Sequence, residues 1–213
     1  MMMLRMGRRG LVITGRLGMA AGVLGALTVI PMLAWPAKSP ESLVRYPFTP
    51  AEFQVIQAWF FVHHLALVAV LVGFALSGAS GGGKVARGAG WVAVVGTTLL
   101  ALMELVTASR FGEWDSKLAN EGVMGAGYGV STNLIGIGLV VAGIGVVRAR
   151  VWTGWERFIP LTVGLMHFLV VTPCLFSGNY VAGRLGIGSW MVVFGALGLA
   201  LVRDAGRRPA SGG

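Results

Sequence analysis

Six long stretches in which polar side chains nearly vanish alternate with short segments where they gather, and this alternation organises the chain. The apolar stretches cover approximately 17–35, 55–77, 89–108, 128–147, 159–177 and 185–202. A helix rises about 1.5 Å per residue and the hydrocarbon layer is about 30 Å thick, so about 20 mainly apolar residues make one crossing. The pattern therefore predicts an all-α, polytopic transmembrane helix bundle of about six helices. Its single domain covers 17–202, between a basic N-terminal segment (1–16) and a basic tail (203–213). The second helix is predicted to start early, because Thr49-Pro50-Ala51-Glu52 combines an N-cap threonine, a proline at the first helical position and a capping-box glutamate. Arginines at 5, 8, 9 and 16 precede the first stretch as in a secretory signal. Its apolar core is long and no A-x-A site follows, which predicts a retained anchor.

Composition agrees with this pattern. The chain is 55% hydrophobic and 12% charged with mean hydropathy +0.78, more than one soluble core could bury. Seventeen Lys and Arg stand against eight Asp and Glu, but they lie at the ends of apolar runs rather than in a stripe, which argues against nucleic-acid binding. One cysteine, Cys174, excludes an intrachain disulfide and any CxxC metal site.

The positive-inside rule turns these basic residues into an orientation. The N-terminus, Lys84 and Arg87, the Arg148/Arg150/Arg157 loop and the Arg203/Arg207/Arg208 tail carry twelve. The opposite loops carry five, Lys38, Arg45, Arg110, Lys117 and Arg184, beside Glu41, Glu52, Glu113, Asp115 and Glu121. Both termini are therefore expected on the cytoplasmic side of a bacterial plasma membrane. All seven tryptophans fall near predicted helix ends, where an indole prefers the headgroup boundary.

Helices in lipid associate through close contact at small residues. Gly18, Gly22 and Ala26 form such a face in the first helix, and Gly125, Gly129 and Asn133 in the fourth. Trp91-Val92-Ala93-Val94-Val95-Gly96 also aligns with Trp190-Met191-Val192-Val193-Phe194-Gly195, a hint of a duplicated three-helix unit, which would have to be inverted in the membrane.

Polar residues inside the spans are costly unless they face the bundle interior. Glu104, His63, His64, His167 and Asn133 are the informative ones. Helical spacing places Gln57 with His64, Thr97 and Ala101 with Glu104, Gly129 and Gly136 with Asn133, and Gly164 and Cys174 with His167 on inward stripes. His63 points about 100° from His64 and toward a different neighbour. Counting from the outer ends, His64 and His167 lie about 13 to 15 Å deep and Glu104 and Asn133 about 6 to 9 Å. Glu104, His64, His167 and Asn133 are therefore candidates for one outer-half site that binds or passes a small ligand or protons, since imidazole and carboxyl groups exchange protons there. Two alternatives stand beside this. The same residues fit simple packing in a structural or accessory subunit that assembles with a membrane-protein partner or a second copy. His64 and His167 also fit the ligands of a b-type haem, which needs two imidazoles at one depth.

Catalytic and metal residues are not predicted. H-E-x-x-H and a paired aspartyl motif do not occur in the sequence. Gly129-Val130-Ser131 resembles the nucleophile segment of rhomboid proteases, but Thr132 replaces the second motif glycine, the sixth helix holds no histidine and the first outer loop lacks a Trp-Arg pair. Ser131 is read as satisfying a helix-start amide. The run Trp152-Thr153-Gly154-Trp155-Glu156-Arg157-Phe158-Ile159-Pro160-Leu161 resembles segments of small six-helix membrane proteins of high-GC Gram-positive bacteria. That resemblance implies location and architecture and no activity. The residues themselves suggest an interfacial turn with two tryptophans at the headgroups.

Overall fold

A computed structural model describes residues 5–115, 117 and 122–208. Glu121, counted above among the far-side acids, and the tail beyond 208 lie outside the described residues. The described residues form six helices long and apolar enough to cross a membrane. We number them α1 (Arg8–Ala34), α2 (Pro50–Ser77), α3 (Lys84–Arg110), α4 (Val123–Ala149), α5 (Gly154–Phe176) and α6 (Tyr180–Arg207).

Every helix starts more than a turn before its apolar window, whereas at the other end only α6 runs more than a turn past its window. Hydropathy marks the lipid-facing length, whereas backbone hydrogen bonding carries the helix on through its polar ends. The start of α2 is as its sequence predicts: the Glu52 backbone N–H donates to Thr49 Oγ1 (3.3 Å) and the Thr49 backbone N–H donates to Glu52 Oε2 (2.9 Å). α5 is the irregular member. It opens as a 3₁₀ turn over Gly154–Phe158 and widens to a π turn over His167–Val171, where the Thr172 N–H reaches back to the His167 carbonyl. Pro173 follows at once. It has no N–H for the Leu169 carbonyl and its ring crowds that oxygen, so a widened turn relieves the conflict.

Consecutive helices are neighbours, and α6 returns to pack on α1, so the chain order closes on itself with α2 also touching α6. This cyclic order does not fit the inverted three-helix duplication suggested by the Trp91 and Trp190 segments. A two-fold axis in the membrane plane reverses the sense of progression around a bundle, and here that sense is the same throughout. Trp190 differs from Trp91 in setting too. It is 4% exposed, and its Nε1–H donates to the Val163 carbonyl of α5 at 2.8 Å, whereas Trp91 is exposed.

Small residues set the closest seams. A Cβ on Gly22 would stand 2.4 Å from Gly195 Cα, and one on Gly198 would stand 2.5 Å from both Gly15 O and Met19 N. α1 and α6 therefore meet backbone to backbone, along the glycine face read from α1. α3 and α4 meet similarly, since a Cβ on Gly96 would stand 2.7 Å from Ser131 O and one on Gly138 would stand 2.7 Å from Ala89 O. The core between helices is aliphatic and aromatic, centred on Leu67, Leu71, Ile135, Leu139, Phe194 and Leu197.

The start of α1 and the end of α6 lie on one face of the bundle. The Met6 N–H donates to Leu76 O (3.0 Å), while Arg208 donates to Met6 O (2.9 Å) and Ser77 O (2.6 Å). The far face is closed by loop pairing: Val44 N–H to Trp114 O, Arg45 N–H to Gly112 O, and an Arg45–Glu113 ion pair at 3.0 Å. Lys38 pairs there with Glu52.

Candidate functional site

The polar residues of three helices meet in the half of the bundle nearer the far face. Glu104 is six residues from the end of α3, about 9 Å along the axis, and is 5% exposed. Side chains lean toward the N-terminus of their own helix, so those of antiparallel α2 and α3 lean toward one another. His64 thereby brings Nδ1 to 3.6 Å from Glu104 Oε1, although it starts deeper in the membrane. That separation is an ion-pair distance and lies beyond hydrogen-bond length. From α4, the Tyr128 hydroxyl contacts Glu104 Oε2 at 2.8 Å and Thr107 Oγ1 at 3.1 Å. The buried Gln57 side chain of α2 faces both Glu104 and Tyr128, and the Arg184 guanidinium of α6 acts on the carboxylate from farther off.

Gln57, His64, Glu104, Thr107 and Tyr128 thus form one site. Its groups are a carboxyl, a phenol, a hydroxyl, an imidazole and a primary amide, each able to donate or accept a hydrogen bond in at least one of its states. Lys and Arg make no salt bridge with Glu104 among the described residues. Neither the hollow beside Arg5 and Arg87 nor the one beside Arg110 and Trp114 is lined by Glu104, His64 or Tyr128.

The four predicted residues divide. His64 and Glu104 come together. Asn133 does not join them: it is exposed on the outside of α4, and its Nδ2 donates to its own helix at Gly129 O (2.8 Å). Gly129 faces open space, so of the stripe assigned inward only Gly136 is buried, against His167 and Phe168 of α5. The fourth helix buries the side carrying Ser131, Ile135 and Gly138 instead. His167 is buried but stands at another seam, between α4 and α6, with its ring 4.8 Å from Phe168 and 5.5 Å from Trp190 and its Cδ2 filling the space over Gly136. Neither of its ring nitrogens has a hydrogen-bond partner among the described residues. No hydrogen bond or ring contact joins it to His64 among those residues, because α5 packs on α4 and α6 while α2 packs on α1, α3 and α6. The two imidazoles of the haem reading therefore lie on different seams.

His63 takes the other neighbour its spacing indicates. It is buried, and Nε2 donates to the Ala21 carbonyl of α1 at 2.9 Å in space left by Gly25. Tyr128 and Thr107 are the members of this cluster that sequence reasoning passed over. Thr107 lies one turn beyond Glu104 on the same stripe, a signal that was legible. Tyr128 reads as a span boundary because nothing in α4 alone indicates which helix it faces.

Three further expectations change. Ser131 Oγ donates to Gly127 O (2.7 Å), one turn back in its own helix, rather than accepting from a helix-start amide. Trp152 is 1% exposed and packs on Phe74, so only Trp155 of that turn is an interfacial tryptophan. Trp190 likewise belongs to the core. The chain matches no protein-family model, no curated protein and no solved structure.

Proposed function

We propose that this protein carries a membrane-embedded proton-binding site centred on Glu104, with both termini cytoplasmic in a bacterial plasma membrane. One observation carries the reading: a carboxylate buried within an apolar bundle contacts a phenol and faces an imidazole and an amide, without a Lys or Arg ion-paired to it. Ionisable groups at membrane depth that face a bundle interior mark proton relays and ion pathways. The compactness of the site favours a proton over a larger solute. Tyr128 and Gln57 hold Glu104 in place, and His64 is the imidazole that faces it, with Nδ1 3.6 Å from the carboxyl.

The test is infrared difference spectroscopy of the reconstituted protein during a pH titration, combined with dye-reported proton flux in proteoliposomes. The expected result is a carboxyl C=O band and a flux that both vanish in Glu104→Gln, with folding and insertion retained. If Glu104→Gln leaves the flux unchanged, or the wild type shows none, the cluster is a packing device. The accessory-subunit reading then gains, and it predicts a partner that co-purifies equally well with the variant.

A further inference from the structure

The terminal face holds a second polar arrangement that plays no part in the Glu104 site. α2 ends at Gly78, in the left-handed region at φ 77°, and a tight turn closed by the Gly81 N–H to Gly78 O bond (3.0 Å) leads toward α3. A shallow hollow with about 20 Å³ of enclosed space, room for about one water-sized group, sits on this turn, and its lining includes Arg5, Gly78, Ser80, Gly81 and Arg87. A larger group meets the two arginines from the open side of the hollow rather than inside it.

Its charge is one-sided. Arg5 and Arg87 make no ion pair and no side-chain hydrogen bond among the described residues, and no carboxylate lines the hollow. The acids of this face are engaged elsewhere, Glu156 by Arg203 and Arg207 and Asp204 by Arg208. Arg5 is also held in position. The strap from Met6 N–H to Leu76 O fixes the backbone beside it, and Arg208 fastens the same strap from the other side through Met6 O and Ser77 O. A Cβ on Gly78 would stand 3.1 Å from Arg5 Nε, so the glycine lets the guanidinium lie across the turn.

Two guanidiniums, a serine hydroxyl and a turn at the end of two membrane helices are suited to a phosphate ester, because an arginine fork matches phosphate oxygens. The geometry points to a binding site for the phosphodiester headgroup of an anionic phospholipid, held between Arg5 and Arg87. Its level at the helix ends puts it in the headgroup layer, where basic pockets between helices bind such lipids. Soluble phosphate shares the chemistry and is distinguished in the test.

Native mass spectrometry of the full-length, detergent-purified protein, given equal phosphatidylglycerol and phosphatidylcholine or inorganic phosphate alone, is the experiment. Phosphatidylglycerol should be retained about fivefold or more over phosphatidylcholine. Arg5→Gln and Arg87→Gln should each remove most of that preference, and Arg87→Lys should keep part of it. Arg157→Gln, which neutralises a half-buried arginine with no acid partner at the start of α5, should leave it intact. Arg5 and Arg87 reach the surface, so their variants should keep the wild-type melting temperature, which is read alongside. Equal retention of the two lipids overturns the site. So does a loss in Arg157→Gln matching that in Arg87→Gln, which would mean diffuse attraction to the whole face. Retention of inorganic phosphate without a phosphatidylglycerol preference overturns the lipid assignment.

Discussion

The seam between α1 and α6 and the junction of α2, α3 and α4 solve one problem by opposite means. At the first, Gly15, Gly18 and Gly22 meet Gly195 and Gly198, and the helices are held chiefly by backbone contact. At the second, Gln57, His64, Glu104, Thr107 and Tyr128 bring polar atoms of three helices into the interior, where the Tyr128 hydroxyl joins Glu104 to Thr107 and His64 faces the carboxyl at ion-pair distance. Lipid tails are as apolar as leucine, so a seam gains from close van der Waals fit or from hydrogen bonds between helices. The glycine seam has no tolerance for added volume. The polar junction has little tolerance for lost hydrogen-bond partners.

The largest effect should come from adding one methyl group to the first seam. Gly198→Ala would force α1 and α6 apart, because the new Cβ stands 2.5 Å from two backbone atoms of α1. A loss of about 2 to 3 kcal/mol is expected from such overpacking, read as a lowered melting temperature in detergent. Gly129→Ala is the control. Its Cβ meets nothing within 4 Å, and alanine favours the helix, so stability should hold or rise slightly. Equal losses in the two variants would remove the distinction between seam glycines and surface glycines.

The polar junction should respond to chemistry at nearly constant volume. Glu104→Leu removes the acceptor facing Tyr128, Gln57 and His64 and should cost about 1 to 2 kcal/mol, since buried donors are left unmatched. Tyr128→Phe removes one hydroxyl shared by Glu104 and Thr107 and should cost about 1 kcal/mol. The melting temperature of the double variant sharpens this. If the two groups act together, the combined loss falls short of the sum of the single losses, and simple additivity would place them in separate networks.

These two regions were also unequally legible in the sequence. The spans could be read because the bilayer imposes a length and a polarity on every crossing, and the capping box at Thr49 could be read because all its partners lie within four residues. The glycine face of α1 was legible as a face, but its mate on α6 was not, since small-residue spacing says nothing about which helix sits opposite. The site depended on that missing information. Glu104 and His64 met because α2 and α3 are sequential and antiparallel. Asn133 was assigned inward on glycine spacing, whereas α4 turns its Ser131, Ile135 and Gly138 side to α3. His167 was matched to His64 by depth alone, and depth does not separate one seam from another.

The smallest expected effect lies on the terminal face and tests whether charge adds a third kind of fastening. Glu156 is buried, and its Oε1 accepts from Arg203 (3.3 Å) and Arg207 (2.8 Å), tying the start of α5 to the end of α6. Both arginines are about half exposed, at 49% and 47%, so water and salt screen much of the attraction. Glu156→Gln should therefore cost no more than about 1 kcal/mol in low salt. Raising salt from 0.1 M to 1 M shortens the screening length from about 10 Å to about 3 Å. The melting-temperature gap between wild type and Glu156→Gln should accordingly narrow. A gap that persists undiminished at high salt would place the contribution in the short hydrogen bonds of the buried carboxylate, making this knot an analogue of the Glu104 junction rather than a separate electrostatic clasp.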